Sequence, residues 1–414
     1  MRYRITAPRH IDTYIKLPAS KSISNRALVI SALAGAKKMP DNLSNCDDTD
    51  VIVKALRDNP YEIDIKAAGT AMRFMTAYLA VTPGEHIITG TERMKHRPIK
   101  VLVDALRYLG AKIEYLGEEG FPPLKIKGKT LSGGRVEIPG NVSSQFISAL
   151  LMIGPVMKNG LELRLTGDII SRPYIDLTIH TMHDYGAKVE WTDVNTIVAE
   201  PTGYRERHFV IENDWSGASY WYEMMAILGD FNSEVRLAGL IDASRQGDSS
   251  LRYLFSMLGV KTSFKDNIKT EPTEVKLKVK FSMLPKLEFD FSGQPDLTQT
   301  FVVTCAMMGI PFHFRGLSTL RIKETDRIEA LKKEMLKLGY VLKEGNGSEL
   351  IWDGERCEPS MEPIDTYEDH RMAMAFTMAA IKFPGLTIND PDVVTKSYPD
   401  FWEHLKQAGF MVEE

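Results

Sequence analysis

One short run of the sequence places a carboxyl group among several cations. In Arg321-Ile322-Lys323-Glu324-Thr325-Asp326-Arg327-Ile328, Lys323 and Arg327 stand four residues apart, and Glu324 directly follows Lys323. Such a run is more often an exposed helix start with ion pairs between neighbouring side chains. The alternative is a carboxyl acid or base among cations that hold an anionic substrate. Because these cations would lower the pKa of Glu324, it can donate a proton only where burial or a bound phosphate opposes them.

A second run predicts a helix start near the beginning of the chain that suits an anion. Ser20 is typical of a helix N-cap, and the apolar residues 27–33 predict the helix body. Ser22 and Arg26 are four residues apart and therefore share one face of the first turns, next to Lys21. The N-terminus of a helix attracts anions because its N–H groups and dipole are positive there. One stretch of this kind is usually an ordinary capped helix, but the chain repeats it.

Basic residues also accompany other predicted helix starts and the segments near them. Arg371 heads the last such helix, Arg97 lies in the run 93–98, and Lys396 lies in the run 394–399. Arginine binds planar or phosphate oxygens in a forked geometry and lysine binds them as a point charge, so these residues predict binding of phosphate or carboxylate. Asp296 stands at a predicted helix N-terminus, where an aspartate is more often a cap than a base.

Two series of helices repeat along the chain. Six helices with small residues and polar starts are predicted to begin at Ser20, Gly69, Ser143, Asp214, Asp296 and Glu368. Amphipathic helices that end in glycine and lead into a strand form the second series, with the glycines about 70–80 residues apart at Gly110, Gly186, Gly259, Gly339 and Gly409. The first unit lacks this continuation, because residues 50–57 lead directly into Asp58-Asn59-Pro60. Six units with the first one trimmed predict an α/β or α+β fold.

Composition and length limit the class of protein. A chain of 414 residues predicts two domains of three units each. The net charge of −4 argues against a nucleic-acid binder, and the longest apolar stretches are too short to span a membrane. The N-terminus lacks the apolar segment of a signal peptide, and Cys46, Cys305 and Cys357 have neither disulfide nor zinc spacing. We therefore expect a cytoplasmic protein with no metal site.

The motifs together resemble the 5-enolpyruvylshikimate-3-phosphate synthase family within the enolpyruvyl transferases. They occur in the family's order over nearly the whole chain, at residues 17–27, 68–73, 93–99, 143–146, 170–175, 246–248, 323–327 and 369–374. The resemblance implies two domains, each of three βαβαββ units, with the active site in the cleft between them. It places residues 20–212 in the N-terminal domain and residues 1–19 with 213–414 in the C-terminal domain.

The resemblance also implies the substrates and the residues that bind them. Shikimate 3-phosphate would be held by Lys21, Ser22, Arg26, Ser143, Ser144, Gln145, Ser171, Asp296 and Lys323. Phosphoenolpyruvate would be held by Lys21, Gly69, Arg97, Gln145, Arg327, Arg371 and Lys396. In the family reaction the 5-hydroxyl adds to C2 of phosphoenolpyruvate while the methylene is protonated, and the intermediate then expels phosphate. Asp296 and Glu324 match the base and the acid, Lys21 assists, and the family needs no metal or organic cofactor and is monomeric.

The sequence departs from the family pattern at three positions besides the trimmed unit. Ala67 replaces an asparagine before the Gly69 motif, Phe74 replaces a proline after it, and Thr319 replaces an asparagine that often contacts the shikimate phosphate. These changes predict an altered loop around Gly69 and a shorter reach at residue 319. The resemblance leaves two alternatives open: a UDP-N-acetylglucosamine enolpyruvyl transferase, and a catalytically impaired homologue that binds phosphorylated ligands.

Overall fold

The computed structural model describes residues 1–414 and divides the chain into two units. One unit combines Met1–Pro18 with Glu212–Glu414, and the other is Ala19–Ile211. The helices are α1 Lys21–Leu33, α2 Asp47–Asp58, α3 Gly69–Val81, α4 Glu92–Lys95, α5 Lys100–Tyr108, α6 Ser144–Ile153, α7 Arg172–Asp184, α8 Trp215–Leu228, α9 Leu251–Met257, α10 Thr298–Met308, α11 Arg327–Lys337, α12 His370–Met378 and α13 Phe401–Gln407. None of them is long and apolar enough to cross a membrane.

The strands pair locally into small mixed sheets. They are β1 Arg2–Thr6, β2 Asp12–Lys16, β3 Glu62–Asp64, β4 Gly84–Thr89, β5 Lys112–Tyr115, β6 Leu124–Gly128, β7 Gly134–Pro139, β8 Leu161–Thr166, β9 Val189–Asp193, β10 Thr196–Ala199, β11 Glu234–Leu240, β12 Val260–Phe264, β13 Thr273–Val279, β14 Leu287–Asp290, β15 Phe312–Arg315, β16 Lys343–Gly345, β17 Glu349–Trp352, β18 Leu386–Asn389 and β19 Met411–Glu413. The predicted α/β (α+β) class is confirmed.

Four sheets share one strand arrangement, which reveals the repeat. Their strand orders are β3-β4-β6-β5, β7-β8-β10-β9, β2-β11-β13-β12 and β14-β15-β17-β16. In each of them the first two strands are parallel, and the remaining pairs are antiparallel. A fifth sheet, β18-β1-β19, has three strands, and a parallel bridge between Ile364 and Ile388 marks the place of its fourth. A parallel pair requires a crossover, and a helix of the first predicted series follows the first strand of the repeat.

The first repeat keeps its helices but has no sheet of its own. Helix α2 ends at Asn59, whose φ of 41° is left-handed, and β3 begins three residues later as the first strand of the next sheet. An isolated bridge between Asp41 and Val210 accompanies the helix pair. The prediction of a trimmed first repeat is therefore confirmed, and the lost part is the sheet.

The first helix series forms the centre of each unit. In the unit containing Glu212–Glu414, α8, α10 and α12 pack against one another and bury nearly all of their residues. Ser219 in the second turn of α8 lies 3.2 Å from Thr300 in the first turn of α10, so these helices run side by side with their N-termini at one end. Central burial explains why these helices are apolar all round rather than amphipathic.

Helices α1, α3, α6 and α7 form the corresponding centre of the unit Ala19–Ile211. The predicted cap of α1 is confirmed, because the Ser20 hydroxyl accepts a hydrogen bond from the Ile23 N–H at 3.4 Å. The Gln145 amide in the first turn of α6 donates to the Thr70 hydroxyl in the first turn of α3 at 3.0 Å. The N-termini of these helices therefore also lie at one end.

Candidate active site

In the unit containing Glu212–Glu414, one carboxylate is surrounded by three cations. Asp296 lies in the 3₁₀ turn Pro295–Leu297 that leads into α10. Its Oδ1 accepts hydrogen bonds from Arg327 Nη1 at 3.2 Å and Lys323 Nζ at 3.4 Å, and its Oδ2 accepts one from Arg371 Nη2 at 2.9 Å. The interpretation of Asp296 as a helix cap is wrong, because its carboxylate instead satisfies three positive charges from other elements.

A fully buried aspartate fixes one of these cations. Asp369 accepts from Arg327 Nε at 2.7 Å through Oδ2 and from Arg327 Nη2 at 3.3 Å through Oδ1. The same Oδ1 accepts from the Arg371 main-chain N–H at 2.9 Å, which makes Asp369 the cap of α12. Glu324 Oε2 accepts from Arg327 Nη2 at 2.9 Å. Burial alone would lower the pKa of Arg327, but Asp369, Glu324 and Asp296 raise it, so its guanidinium stays charged.

The run that carries Glu324 has an outer and an inner part. Arg321 forms ion pairs with Asp326 at 2.8 Å and with Glu344, and these partly exposed groups are the surface network that such runs usually form. Lys323 and Glu324 instead belong to the Asp296 cluster, where their side chains are only about one-fifth exposed. The surface interpretation is therefore confirmed for Arg321 and Asp326, whereas the role of Glu324 as an acid or base stays a prediction.

The carboxyl groups of this cluster differ in acidity. Burial alone would raise the pKa of Asp296, but Arg371, then Lys323 and Arg327, hold it well below its usual range. Asp248 is only 2% exposed and accepts a hydrogen bond from the Ser216 hydroxyl. Burial, and next the negative charge of Asp296, raise the pKa of Asp248 to about 6. Groups with pKa values moved apart are typical of a site that transfers protons.

Two further predicted residues lie near the same helix ends. Lys396 Nζ donates to the main-chain carbonyl of Glu368, just before α12, at 2.8 Å. Thr319 is buried in the 3₁₀ turn Ser318–Ile322, which precedes Lys323.

In the unit Ala19–Ile211, Arg26 is held by three helices. Its Nε donates to Thr178 Oγ1 at 2.7 Å, its Nη2 donates to Ser148 Oγ and to the Tyr174 carbonyl at 3.2 Å each, and its Nη1 donates to the Ser22 carbonyl at 2.9 Å. These bonds use four of the five guanidinium N–H groups and leave one on Nη1. Burial lowers the pKa of Arg26 to about 10, so it remains a cation at neutral pH.

Phe74 and Lys21 contribute to the environment of this group. The Arg26 guanidinium carbon lies 5.4 Å from the centre of the Phe74 ring, which is a cation–π contact between α1 and α3, while the predicted effect of Phe74 on the Gly69 loop stays a prediction. Lys21 at the first position of α1 pairs with Asp48 at 3.3 Å, and both side chains are largely buried.

Gly69 provides a flat surface for Arg97. A Cβ atom at residue 69 would lie 2.5 Å from Arg97 Nη1 and 2.8 Å from its guanidinium carbon, so only glycine permits this approach. Arg73 joins the same parts of the chain, because its guanidinium donates to the Gly69 and Pro98 carbonyls at 3.0 Å each. The Arg97 segment is thereby tied to the N-terminus of α3.

The predicted serines lie at two helix starts. The Ser143 hydroxyl caps α6 and accepts from the Gln145 N–H at 3.4 Å, while Ser144 is the buried first residue of that helix. Ser171 precedes α7 with a φ of 55°, a left-handed conformation that is rare for a residue with a side chain.

The sequence did not single out the carboxylates that pair with the cations. Asp369 and Asp248 stand inside recognised motifs, but they had no assigned role, and Asp48 is one of several acidic residues at the start of α2. Thr70, which binds Gln145, was missed for the same reason. Their positions inside the motifs 68–73, 246–248 and 369–374 were the available signal.

Comparisons with known proteins show which family the chain belongs to. The family model for EPSP synthase (3-phosphoshikimate 1-carboxyvinyltransferase) matches residues 5–59 and 57–405. A Bacteroides fragilis protein named 3-phosphoshikimate 1-carboxyvinyltransferase is 56% identical over 414 residues, covering 100% of this chain and 99% of that protein. A protein of the same name from Photobacterium profundum is 36% identical over 425 residues, covering 96% of each chain.

Solved structures show the same fold. EPSP synthase from Acinetobacter baumannii has a TM-score of 0.77 at 21% identity, covering 100% of both chains. The enolpyruvyl transferase NikO from Streptomyces tendae has a TM-score of 0.74 at 16% identity, covering 100% of this chain and 98% of that one.

Proposed function

Because the chain belongs to the EPSP synthase family, we propose that its two groups of helix N-termini hold the two substrates of this family's reaction. The protein transfers the enolpyruvyl group of phosphoenolpyruvate to the 5-hydroxyl of shikimate 3-phosphate and releases phosphate. It is thus a transferase of the shikimate pathway, which leads through chorismate to the aromatic amino acids. Both substrates are anions, and parallel helix N-termini with fixed cations favour anions.

Shikimate 3-phosphate is bound by hydroxyl, amide and cationic groups from both units in this proposal. The residues are Lys21, Ser22, Arg26, Ser143, Ser144, Gln145, Ser171, Asp296 and Lys323. Support for this assignment comes from the rigid hold on Arg26, which keeps one Nη1 N–H outside its four protein bonds. Such a preorganised donor loses little entropy when a phosphate oxygen binds it.

Phosphoenolpyruvate is bound by a second set of groups: Lys21, Gly69, Arg97, Gln145, Arg327, Arg371 and Lys396. Two contacts support this set. The Arg97 guanidinium lies flat against Gly69, and the Gln145 side chain donates a hydrogen bond to Thr70 in the first turn of α3. The planar guanidinium groups suit a carboxylate and a phosphate in forked geometry.

Asp296 acts as the base and Glu324 as the acid, with Lys21 assisting. The 5-hydroxyl oxygen bonds to C2 while Asp296 takes its proton, and Glu324 gives a proton to the methylene carbon, which becomes a methyl group. In the elimination step the methyl group returns a proton, the C2–O bond to phosphate breaks, and the enol ether forms. The single observation that carries this proposal is that Asp296, Lys323, Glu324, Arg327 and Arg371 form one contact cluster from three separate chain segments.

Phosphate release from shikimate 3-phosphate plus phosphoenolpyruvate tests this proposal in the wild-type protein and in an Asp296→Asn variant. We expect release by the wild type, and a large loss in the variant because the hydroxyl proton then has no acceptor. UDP-N-acetylglucosamine serves as the control acceptor and should give no release. Equal turnover of the variant and the wild type would refute the assignment of Asp296.

The proposal also covers the division into domains, the oligomeric state and the cellular location. Residues 20–212 and residues 1–19 with 213–414 would act as the two domains, and the position of the active site in a cleft between them stays a prediction from the family. We propose a monomer in the cytoplasm that works without a metal, an organic cofactor, a nucleic acid or a membrane.

A further inference from the structure

The cations around Asp296 are balanced by an equal number of carboxylates. Lys323, Arg327 and Arg371 are in contact with Asp296, while Arg327 also contacts Glu324 and Asp369. Three positive and three negative groups leave little net positive charge to attract an anion. A substrate anion that pairs with these cations therefore weakens their electrostatic pairing with the carboxylates.

The three carboxylates differ in how readily they can give up their cations. Asp369 is fully buried, caps α12 and holds Arg327 through two hydrogen bonds, so its displacement would leave a buried charge without its partner. The Asp296 side chain is 18% exposed and accepts single, monodentate bonds from three different cations. Glu324 is similarly exposed but contacts Arg327 alone, so Asp296 is the partly exposed carboxylate whose replacement would release all three cations.

The same donor atoms serve Asp296 and are proposed to serve the substrate. Arg327 directs its Nε and Nη2 to Asp369 and Glu324, so Nη1 is the nitrogen that pairs with Asp296. Arg371 uses Nη2 for its bond to Asp296. Each of these nitrogens carries two N–H groups, so an anion bound here competes with the Asp296 carboxylate for the charge of the cations rather than for a single donor.

We propose that Asp296 is an internal competitor of phosphoenolpyruvate, and that substrate binding turns it into the base by taking its cations away. This inference rests on the proposed assignment of Arg327 and Arg371 to phosphoenolpyruvate. Once the substrate carboxylate and phosphate face Arg327 and Arg371, burial and the neighbouring charges of Asp248 and Glu324 act on Asp296 with less opposition. Its affinity for a proton then rises, and it can accept the proton of the 5-hydroxyl.

The proton transfer also ends the competition. When the hydroxyl proton moves to Asp296, the carboxyl group becomes neutral and no longer attracts the cations. Arg327 and Arg371 then pair with the substrate alone and can stabilise the charge on the phosphate that leaves. The first proton transfer and the hold on the departing phosphate are coupled in this way.

Isothermal titration of the full chain with phosphoenolpyruvate, and separately with inorganic phosphate, tests this coupling. Asp296→Asn keeps the size of the side chain but removes its charge, so we expect phosphoenolpyruvate to bind about tenfold tighter or more than in the wild type. Asp369→Asn is the matched control. It also removes a negative charge that contacts Arg327, but this carboxylate is the buried group that holds Arg327 in place. This variant should bind the anion more weakly.

The outcomes separate this inference from the assignment of the site. Asp296→Asn with lost turnover and anion binding equal to or weaker than that of the wild type would overturn the inference and leave the base assignment intact. Unchanged turnover would refute the base assignment itself. Circular dichroism checks that each variant is folded, and Asp296→Ser supplies the same loss of charge if the asparagine variant does not fold.

Discussion

Asp248 gives the most quantitative prediction, because its ionisation is unfavourable in the folded chain. Its side chain is buried beside the N-terminus of α8 and accepts a hydrogen bond from Ser216. Burial and then the charge of Asp296 raise its pKa from 3.8 to about 6, although Arg371 acts in the opposite direction. We predict that Asp248→Asn stabilises the protein at neutral and alkaline pH.

The sign and size follow from proton linkage. The folded chain binds the Asp248 proton more tightly than the unfolded chain, so the stability from this group is present below pH 4 and is lost as the pH rises through 6. A shift of about 2 pKa units corresponds to about 3 kcal/mol in the free energy of unfolding. Asparagine does not ionise, so the variant should be more stable by up to about 3 kcal/mol at pH 8 and nearly unchanged at pH 4.

Urea unfolding followed by tryptophan fluorescence measures this difference at pH 4, 6 and 8. The fluorescence reports mainly on the unit that includes Glu212–Glu414 and therefore Asp248, because this unit contains Trp215, Trp221, Trp352 and Trp402. A difference that does not vary with pH, or a variant that is less stable at pH 8, would refute the reasoning. It would mean that Arg371 keeps Asp248 ionised.

Asp230 at the surface provides a control, because its pKa is shifted in the direction opposite to that of Asp248. His10, Ser233 and the Asn232 N–H lower the pKa of Asp230 to about 2, so its contribution is present above pH 4 and is lost as the pH falls through 2. Asp230→Asn should therefore reduce stability at pH 8 and have less effect in acid. Opposite trends in the two variants would exclude a general effect of removing one negative charge.

The remaining predictions concern chemistry and binding. Glu324→Gln should lower kcat far more than it weakens substrate binding, and an equal loss of both in steady-state kinetics would remove Glu324 as the acid. Gly69→Ala should push the Arg97 guanidinium aside and raise the KM for phosphoenolpyruvate roughly tenfold or more, whereas an unchanged KM would refute the close approach. Phe74→Leu should remove the ring beneath Arg26 and cost about 1–2 kcal/mol in thermal unfolding, with weaker binding of shikimate 3-phosphate.

The repeat was predictable because short-range sequence signals specify its helices and turns. Polar helix starts, terminal glycines and their regular spacing fixed the two helix series, and both series are present in the structure. The turn-forming run Glu344-Gly345-Asn346-Gly347 likewise joins the antiparallel strands β16 and β17. These features depend on residues close together in the chain, where propensity and turn chemistry act directly.

The partners of the site residues were not predictable from spacing. Asp296 and Arg327 belong to one repeat and Arg371 to the next, and their pairing depends on how α10, α11 and α12 pack. Local statistics favoured a cap at Asp296, but the attraction of three cations exceeds one hydrogen bond to a main-chain N–H. A sequence pattern reports the local preference for a helix cap but not the attraction between Asp296 and cations from distant segments.

The trimmed first repeat shows why the site survives the loss of a sheet. The proposed substrate-binding residues lie at helix N-termini, and α1 keeps Lys21, Ser22 and Arg26 although its own repeat has no strands. Arg26 is fixed by Ser148 and Thr178 on α6 and α7, so neighbouring repeats supply the rigidity that a sheet would otherwise give. The shortened first unit therefore lacks a sheet but keeps the helix end at which we propose that an anion binds.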